Sequence, residues 1–275
     1  MAKDSQKKDR PAKAEQAIED PPVMAADAAA QQPMLPMFYQ APRPLDMERH
    51  KDKALVARRT FTFAAKSNSV PITVDEIAVC ARHYPVVFTD SNPAVPVAVL
   101  GLRQGENLMV DENGVWDRST YIPGYVRRYP FIFLERQTAN QFALCIDEES
   151  GLIEDGGGSR ALFADGQPSE ITRRALSFCS AYHRQFMATK DFVKAMTDTE
   201  LLNEKVAQVS IGDGQKVALQ GLRVIDELRL KELADKEFLA LRRRGYLGAV
   251  YCQLMSQNNW SALARRMSSR MPPAA

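Results

Sequence analysis

Two stretches of this 275-residue sequence share one form: Ala81-Arg-His-Tyr-Pro-Val-Val-Phe-Thr-Asp90 and Val126-Arg-Arg-Tyr-Pro-Phe-Ile-Phe-Leu-Glu135. Arg82, Tyr84, Pro85 and Phe88 meet identical residues at Arg127, Tyr129, Pro130 and Phe133. His83/Arg128, Val87/Ile132 and Asp90/Glu135 are pairs of similar kind. A proline pushes the residue before it out of the α region, so each Tyr-Pro should halt a helix. The apolar run that follows reads as a buried strand. Two copies are fewer than a solenoid needs. The expectation is a pseudo-repeated unit whose two strands lie in one sheet.

Upstream of the first unit, Thr73-Val-Asp-Glu76 has the form of a capping box, in which hydroxyl and carboxylate satisfy orphan N–H groups. A helix through about Arg82 should follow, with Ile77, Cys80 and Ala81 on its apolar side. Lys53–Ala65, rich in β-branched and aromatic residues, reads as an early strand, and Val95–Leu102 as another. Residues 107–116 read as a hairpin turning at Asp111-Glu-Asn-Gly114, since Asn-Gly favours positive φ. A helix is expected from about Ser119 to Arg128, then strands at Phe131–Leu134 and Phe142–Ile146.

From Ser169 the period becomes helical. Ile171, Ala175, Phe178, Tyr182 and Phe186 form one stripe, with Arg173, Arg174 and Arg184 off it. A shorter helix is expected at Thr189–Met196. Val206–Ile211 and Lys216–Ile225, joined by Gly212-Asp-Gly214, read as a hairpin. Asp226 should cap a helical pair over 227–244 and 246–256, broken at Gly245. The predicted fold class is α+β, with a mixed or antiparallel sheet from the first half and helices from the second packed on it. Residues 1–33 contain no aromatic side chain and are expected to be a disordered tail. Residues 34–267 should then be one domain, strand-rich over 34–148 and mostly helical over 149–267, with a frayed tail at 268–275.

Composition excludes more than it proposes. The chain has 36 Lys+Arg against 34 Asp+Glu, a formal charge of +2, which argues against a coat for nucleic acid. The longest apolar stretches, Val95–Leu102 and Tyr246–Met255, are too short to cross a bilayer, which takes about 20 residues. The first 20 residues interleave basic and acidic side chains without an apolar block, so no secretory signal is expected and the predicted location is the cytoplasm. Cys80, Cys145, Cys179 and Cys252 are widely spaced without a CxxC pair. They read as buried, reduced core residues rather than a zinc site.

No complete catalytic constellation can be quoted. His50, His83 and His183 are widely separated, and GxSxG and GxGxxG motifs do not occur. Gly156-Gly-Gly158-Ser159 lacks the Gly-Lys-Ser/Thr ending of a phosphate loop and follows Glu154 and Asp155, whose charge would repel a phosphate. The acidic groups at 111–117, 147–149 and 154–155 lack the ligand alternation of a calcium loop. No cofactor, metal ligand or catalytic residue is assigned. Residues 238–275 carry six arginines and no acid. Arg242–Arg244 read as cations closing a helix before Gly245, and no aromatic-basic alternation supports specific nucleic-acid binding. Trp116, Tyr121, Arg127, Arg128 and Tyr129, with Arg82 and Tyr84 from the first unit, combine the residue types that dominate binding hot spots. They are the candidate contact residues, and the alternative for the same side chains is packing.

These segments also carry a family resemblance. Val70-Pro71, Glu76 and Tyr84-Pro-Val-Val-Phe88 resemble the opening of the SapC family. Trp116, Tyr121-Ile-Pro123 and Arg127-Arg-Tyr-Pro-Phe131 resemble its centre. Ile146-Asp147, Leu162-Phe163, Gly166, Thr189, Phe192 and Leu201-Leu202 continue the likeness, and Gly245, Tyr251, Leu254 and Ser256 close it near residue 267. The Gly156–Gly158 run and the long N-terminal segment depart from the pattern. The family takes its name from a protein linked to bacterial surface layers and has no established catalytic residues. The lack of a complete catalytic constellation, with the aromatic-arginine segment at 116–131, leads to the expectation of a non-catalytic, SapC-like binding or assembly factor for a bacterial surface-layer or peptide-related system, with a protein or peptide partner. The alternative is an enzyme, or an accessory subunit, acting on a small molecule or peptide side chain. That alternative needs Arg127, Tyr129, His83 or His183 to converge with a carboxylate in one cleft.

Overall fold

A buried carboxylate organises the first half of the chain. In the computed structural model, which describes residues 35–57, 60–135, 142–156, 158–212 and 215–271, the capping box at Thr73–Glu76 forms as expected. Glu76 Oε2 accepts from the Thr73 backbone N–H and hydroxyl, both at 3.1 Å. It starts a short 3₁₀ turn, Val74–Glu76, and the single α turn Ile77–Cys80. The other oxygen, Oε1, reaches across to the segment that leads into the second unit. There it accepts from the Tyr121 hydroxyl at 2.8 Å and the Gly124 N–H at 2.6 Å.

Among the described residues two larger sheets hold most of the strands, beside two short pairs, Lys53–Leu55 with Ile153–Asp155 and Phe163–Ala164 with Gln167–Pro168. The central one has five, all antiparallel, in the order Leu202–Ile211, Gln215–Ile225, Val86–Thr89, Pro96–Val99 and Ser69–Pro71. The smaller one orders Pro42–Pro44, Phe142–Asp147 and Phe131–Glu135, also antiparallel. The expected α+β architecture is therefore present, and the hairpin predicted around Gly212 supplies two strands of the central sheet; residues 213–214 of its turn lie outside the described residues. The strands of the two Tyr-Pro units do not share a sheet. Val86–Thr89 pairs with Pro96–Val99, while Phe131–Glu135 pairs with Phe142–Asp147. Each found its partner in the strand that follows it, so the local repeat produced two sheets.

Alternation along the smaller sheet divides its surroundings. Phe131 and Ile146, opposite each other in register, pack with Leu162 and Cys179. Ile132 and Cys145 point the other way and pack with Tyr39, Tyr129 and Leu152. The main core lies around the central sheet, from Ile77, Tyr84 and Phe88 to Phe192, Val250 and Leu263.

The helices depart from the sequence expectation in instructive places. Glu170–Asp198 is one unbroken helix of 29 residues, capped by Ser169, where two helices were expected. Thr189, the expected break, is satisfied in place. Its hydroxyl donates to the Gln185 carbonyl at 2.7 Å and accepts from the Val74 N–H at 2.8 Å. The expected helix from Ser119 reduces to the turn Gly124–Arg127, because Pro123 occupies its N-cap and restrains Ile122. The expected hairpin over 107–116 keeps only its turn and the Val110–Trp116 bridge, since Asn107 and Leu108 N–H groups bond Ala65 and Leu100 instead. Of the early strand, Lys53–Leu55 forms, Thr62–Ala64 is a 3₁₀ turn, and residues 58–59 lie outside the described residues.

The C-terminal half follows the reading more closely. Asp226 caps Glu227–Lys231, accepting from the Leu228 and Arg229 N–H groups. Asp235–Arg243 ends with Arg242 and Arg243 in its last turn, and Gly245 takes φ +75 before Leu247–Ser256 begins. The following Trp260–Arg270 helix includes residues expected to fray; residues 272–275, like the tail over 1–33, lie outside the described residues. Side chains from this half satisfy the first Tyr-Pro unit. The Val86 N–H donates to Ser256 Oγ at 3.0 Å, the Gln253 amide donates to the Val86 carbonyl at 2.9 Å, and Asn259 donates to the Ala81 and Tyr84 carbonyls.

Replacing Glu76 by alanine strands the buried Thr73 and Gly124 N–H groups. The expected cost is about 3 kcal/mol, read as a fall in Tm of roughly 6–12 °C for a domain of this size. Gly124→Ala should also destabilise, because a Cβ there would stand 3.0 Å from Glu76 Oε1 and 3.3 Å from the Tyr182 ring. Thermal unfolding of both variants checks this, and an unchanged Tm for Glu76→Ala would refute the central role of the carboxylate.

Candidate functional site

Arg127, Arg128 and Tyr129 are consecutive, yet each has a different destination. Arg127 turns toward Glu76: its Nη2 donates to the Tyr121 hydroxyl at 2.7 Å and lies 3.9 Å from Glu76 Oε1. Its guanidinium also lies over the Tyr121 and Phe178 rings. Tyr129 is 1% exposed and donates to Asp147 Oδ2 at 2.9 Å. Asp147 is itself buried and accepts from the Gln40 and Ala41 N–H groups. Arg128 enters a cage of phenol rings, 4.2 Å from the Tyr125 centroid, 4.6 Å from Tyr182 and 5.7 Å from Tyr39.

These residues border a cavity of about 300 Å³ between the smaller sheet, the strand Lys53–Leu55 and the first half of the long helix. Arg127, Arg128, Arg160 and Arg174 line it, and no aspartate or glutamate does. Arg174 pairs with Glu170 on its own helix at 2.8 Å. Arg160 spends its Nε on the Leu55 carbonyl at 3.0 Å. The remaining wall is apolar, with Leu55, Val56, Phe131, Leu152 and Phe178 its main contributors. Cys179 completes it; burial pushes its thiol up to about 12, against the opposing charge of Arg128, so it adds no negative charge at neutral pH. Burial likewise raises the Tyr39, Tyr125 and Tyr182 phenols, which stay neutral beside Arg128.

The other candidates lie apart from this cavity. Trp116 is 3% exposed, its indole N–H donating to Thr120 Oγ1 at 3.0 Å. Tyr84 is fully buried and its hydroxyl donates to the Tyr121 carbonyl. Arg82 is exposed on the first unit. Tyr121 is half-buried and acts through Arg127 and Glu76. The structure thus brings Arg127, Arg128 and Tyr129 to one wall with Tyr121 behind them, and sends Trp116, Tyr84 and Arg82 elsewhere. Arg160, Arg174 and Phe178 were not among the candidates. Arg174 and Phe178 had shown only as off-stripe and on-stripe positions of a helix, and Arg160 carried no signal of its own.

Of the four groups named for the enzyme alternative, Arg127 and Tyr129 line the cavity and the histidines do not. His83 lies tilted beside Tyr84, 5.9 Å between ring centroids, and its pKa is pushed below the ordinary value by burial and by Arg82 and Arg266. His183 packs on Phe142, 4.3 Å between centroids, and neither imidazole lines the cavity. His50 is buried against Glu148, 3.1 Å from Nε2 to Oε1, at a separate place. No cluster of three metal-ligating side chains exists among the described residues, and the four cysteines form no disulfide with one another. No described helix is long and apolar enough to cross a membrane.

Residues 45–263 match the SapC family. No curated protein and no solved structure matches the chain. The match spans the capping box at Thr73–Glu76, both Tyr-Pro units, the long helix and the Ser256 contact that satisfies Val86. The chain belongs to the SapC family.

Proposed function

We propose that this chain is a non-catalytic binding factor, acting in the cytoplasm for a bacterial surface-layer or peptide-related system, and that its partner is an anionic peptide or protein segment. The observation that carries the reading is the cavity beside Arg127–Phe131, where four arginines meet apolar walls and no carboxylate lines the space. Positive charge in a partly desolvated recess attracts anions more strongly than the same charge spread over a surface. Arg128 and Arg160 supply the charge, while Tyr129 and Arg127 are held in place by Asp147 and Glu76. The scattered histidines support binding rather than turnover, because acid–base work needs a titrating group within reach of its substrate.

The test is a comparison of acidic and basic pools of short peptides offered to the purified chain. Acidic peptides should be retained preferentially, be released as salt rises, and be recovered with unchanged mass. An Arg160→Gln/Arg174→Gln double variant should lose about tenfold in affinity, as expected when charge-assisted contacts worth about 1.4 kcal/mol are removed. Its Tm should stay within about 2 °C, since exposed and half-exposed charges contribute little stability. Equal retention of both pools, or peptides recovered cleaved or modified, would overturn the assignment.

A further inference from the structure

Arg128 is a half-buried cation whose donors are only partly satisfied. Its Nε is sealed from solvent and has no hydrogen-bond partner. No described carboxylate forms an ion pair with it; its neighbours are the neutral rings of Tyr39, Tyr125 and Tyr182, of which Tyr125 also takes a side-chain hydrogen bond from it. Ring faces attract a cation, but they do not take up the directed N–H donors of a guanidinium. Arginines removed from water are ordinarily paired with carboxylate or phosphate, because an unpaired buried charge is strongly unfavourable. The contrast with its neighbour is direct: Arg127 has Glu76 and the Tyr121 hydroxyl, while Arg128 borders the cavity with part of its donor capacity unspent.

The cavity indicates what would complete it. Its volume, about 300 Å³, stands at the low end of small-ligand pockets. Leu55, Val56, Phe131 and Phe178 present hydrocarbon opposite the arginines. A phosphate, carrying nearly two charges on its oxygens, would require polar contacts on several sides. A carboxylate needs them on one side only, and the planar guanidinium fork matches its two oxygens. We propose that this cavity binds a free carboxylate carried on an apolar body, with Arg128 as its anchor and Arg160 as a second contact. Two sources share that chemistry: a small aromatic or aliphatic acid, and the last residue of a peptide with a hydrophobic C-terminus. The proposal rests on the reading of this site as an anion-binding one and narrows it to a ligand class.

Calorimetric titration with matched probes tests it. The probes are N-acetyl-L-phenylalanine and its amide, inorganic phosphate, and a phenylalanine-terminated hexapeptide with a free or amidated C-terminus. Each free acid should bind at least tenfold tighter than its amide, and phosphate more weakly than either acid. Binding of the peptide acid alone, without the small acid, would identify a chain end as the source; binding of the small acid alone would identify a free metabolite. Arg128→Met should abolish the acid-over-amide preference while leaving Tm at or above its original value, since it removes an uncompensated cation and keeps apolar bulk. Should that variant not fold, Arg128→Lys keeps the charge without the fork and should lower the preference severalfold. Equal binding of acids and amides by the original chain overturns the proposal whatever the variants do. If acidic peptides are still retained in that case, the broader anion-binding reading survives; if they are not, both fall.

Discussion

The Glu76 carboxylate is the constraint from which the rest of the site follows. Its two oxygens serve two segments far apart in sequence, Thr73 at one and Tyr121 with Gly124 at the other. It pins the turn Gly124–Arg127 against the start of the first unit, and that turn tolerates no Cβ at Gly124 without pressing on the carboxylate. Successive residues of a helix project about 100° apart. Once Arg127 is drawn toward Glu76, Arg128 must point away from it, and the direction available is the tyrosine cage. Tyr129 is then claimed by the second buried carboxylate, Asp147. Two buried acids therefore take up the residues on either side of Arg128 and leave Arg128 itself facing the cavity.

The two Tyr-Pro units show how one local pattern serves different ends. In both, the tyrosine is buried and its hydroxyl is satisfied: Tyr84 at the Tyr121 carbonyl, Tyr129 at Asp147. In the first unit, the backbone around the proline is satisfied by Gln253, Ser256 and Asn259, which arrive from the far end of the chain. In the second, the Pro130 carbonyl accepts from the Asp147 N–H within the smaller sheet. The first unit is thereby enclosed in the main core. The second stays at the edge of it, where a cavity can form beside its arginines.

What could be read from residue types was mainly local. The capping box, the Asp226 cap, the break at Gly245 and the arginines closing the helix before it all depend on neighbours a few positions apart. The hairpin around Gly212 was legible for the same reason. The unbroken long helix was not, because the Thr189 hydroxyl is satisfied on both sides, donating to Gln185 of its own helix and accepting from Val74 of a distant segment that residue type does not reveal. Strand partnership was misjudged because similarity between two strands says nothing about which strand lies beside each. The site was half legible. Arg127, Arg128 and Tyr129 announced themselves as an aromatic-arginine cluster, whereas Arg160 and Arg174 reach the cavity only through tertiary packing.

Charge density in the sequence was a poor guide to function, and the structure explains why. The six arginines of residues 238–275 form the densest positive run, but several are committed to structural work. Arg266 pairs with Asp117 at 2.6 Å, and Arg270 donates to the carbonyls of Asn107, Leu108 and Val110. Arg242 and Arg243 close a helix, where cations offset the terminal dipole. Arg128 stands in an unremarkable run, yet it is half-buried and forms no ion pair with a described carboxylate. A fold can dispense with such a charge: an apolar side chain of similar volume would be at least as stable there. Retaining a guanidinium in a phenol cage beside an apolar cavity is therefore better explained by what enters the cavity than by what holds the fold together.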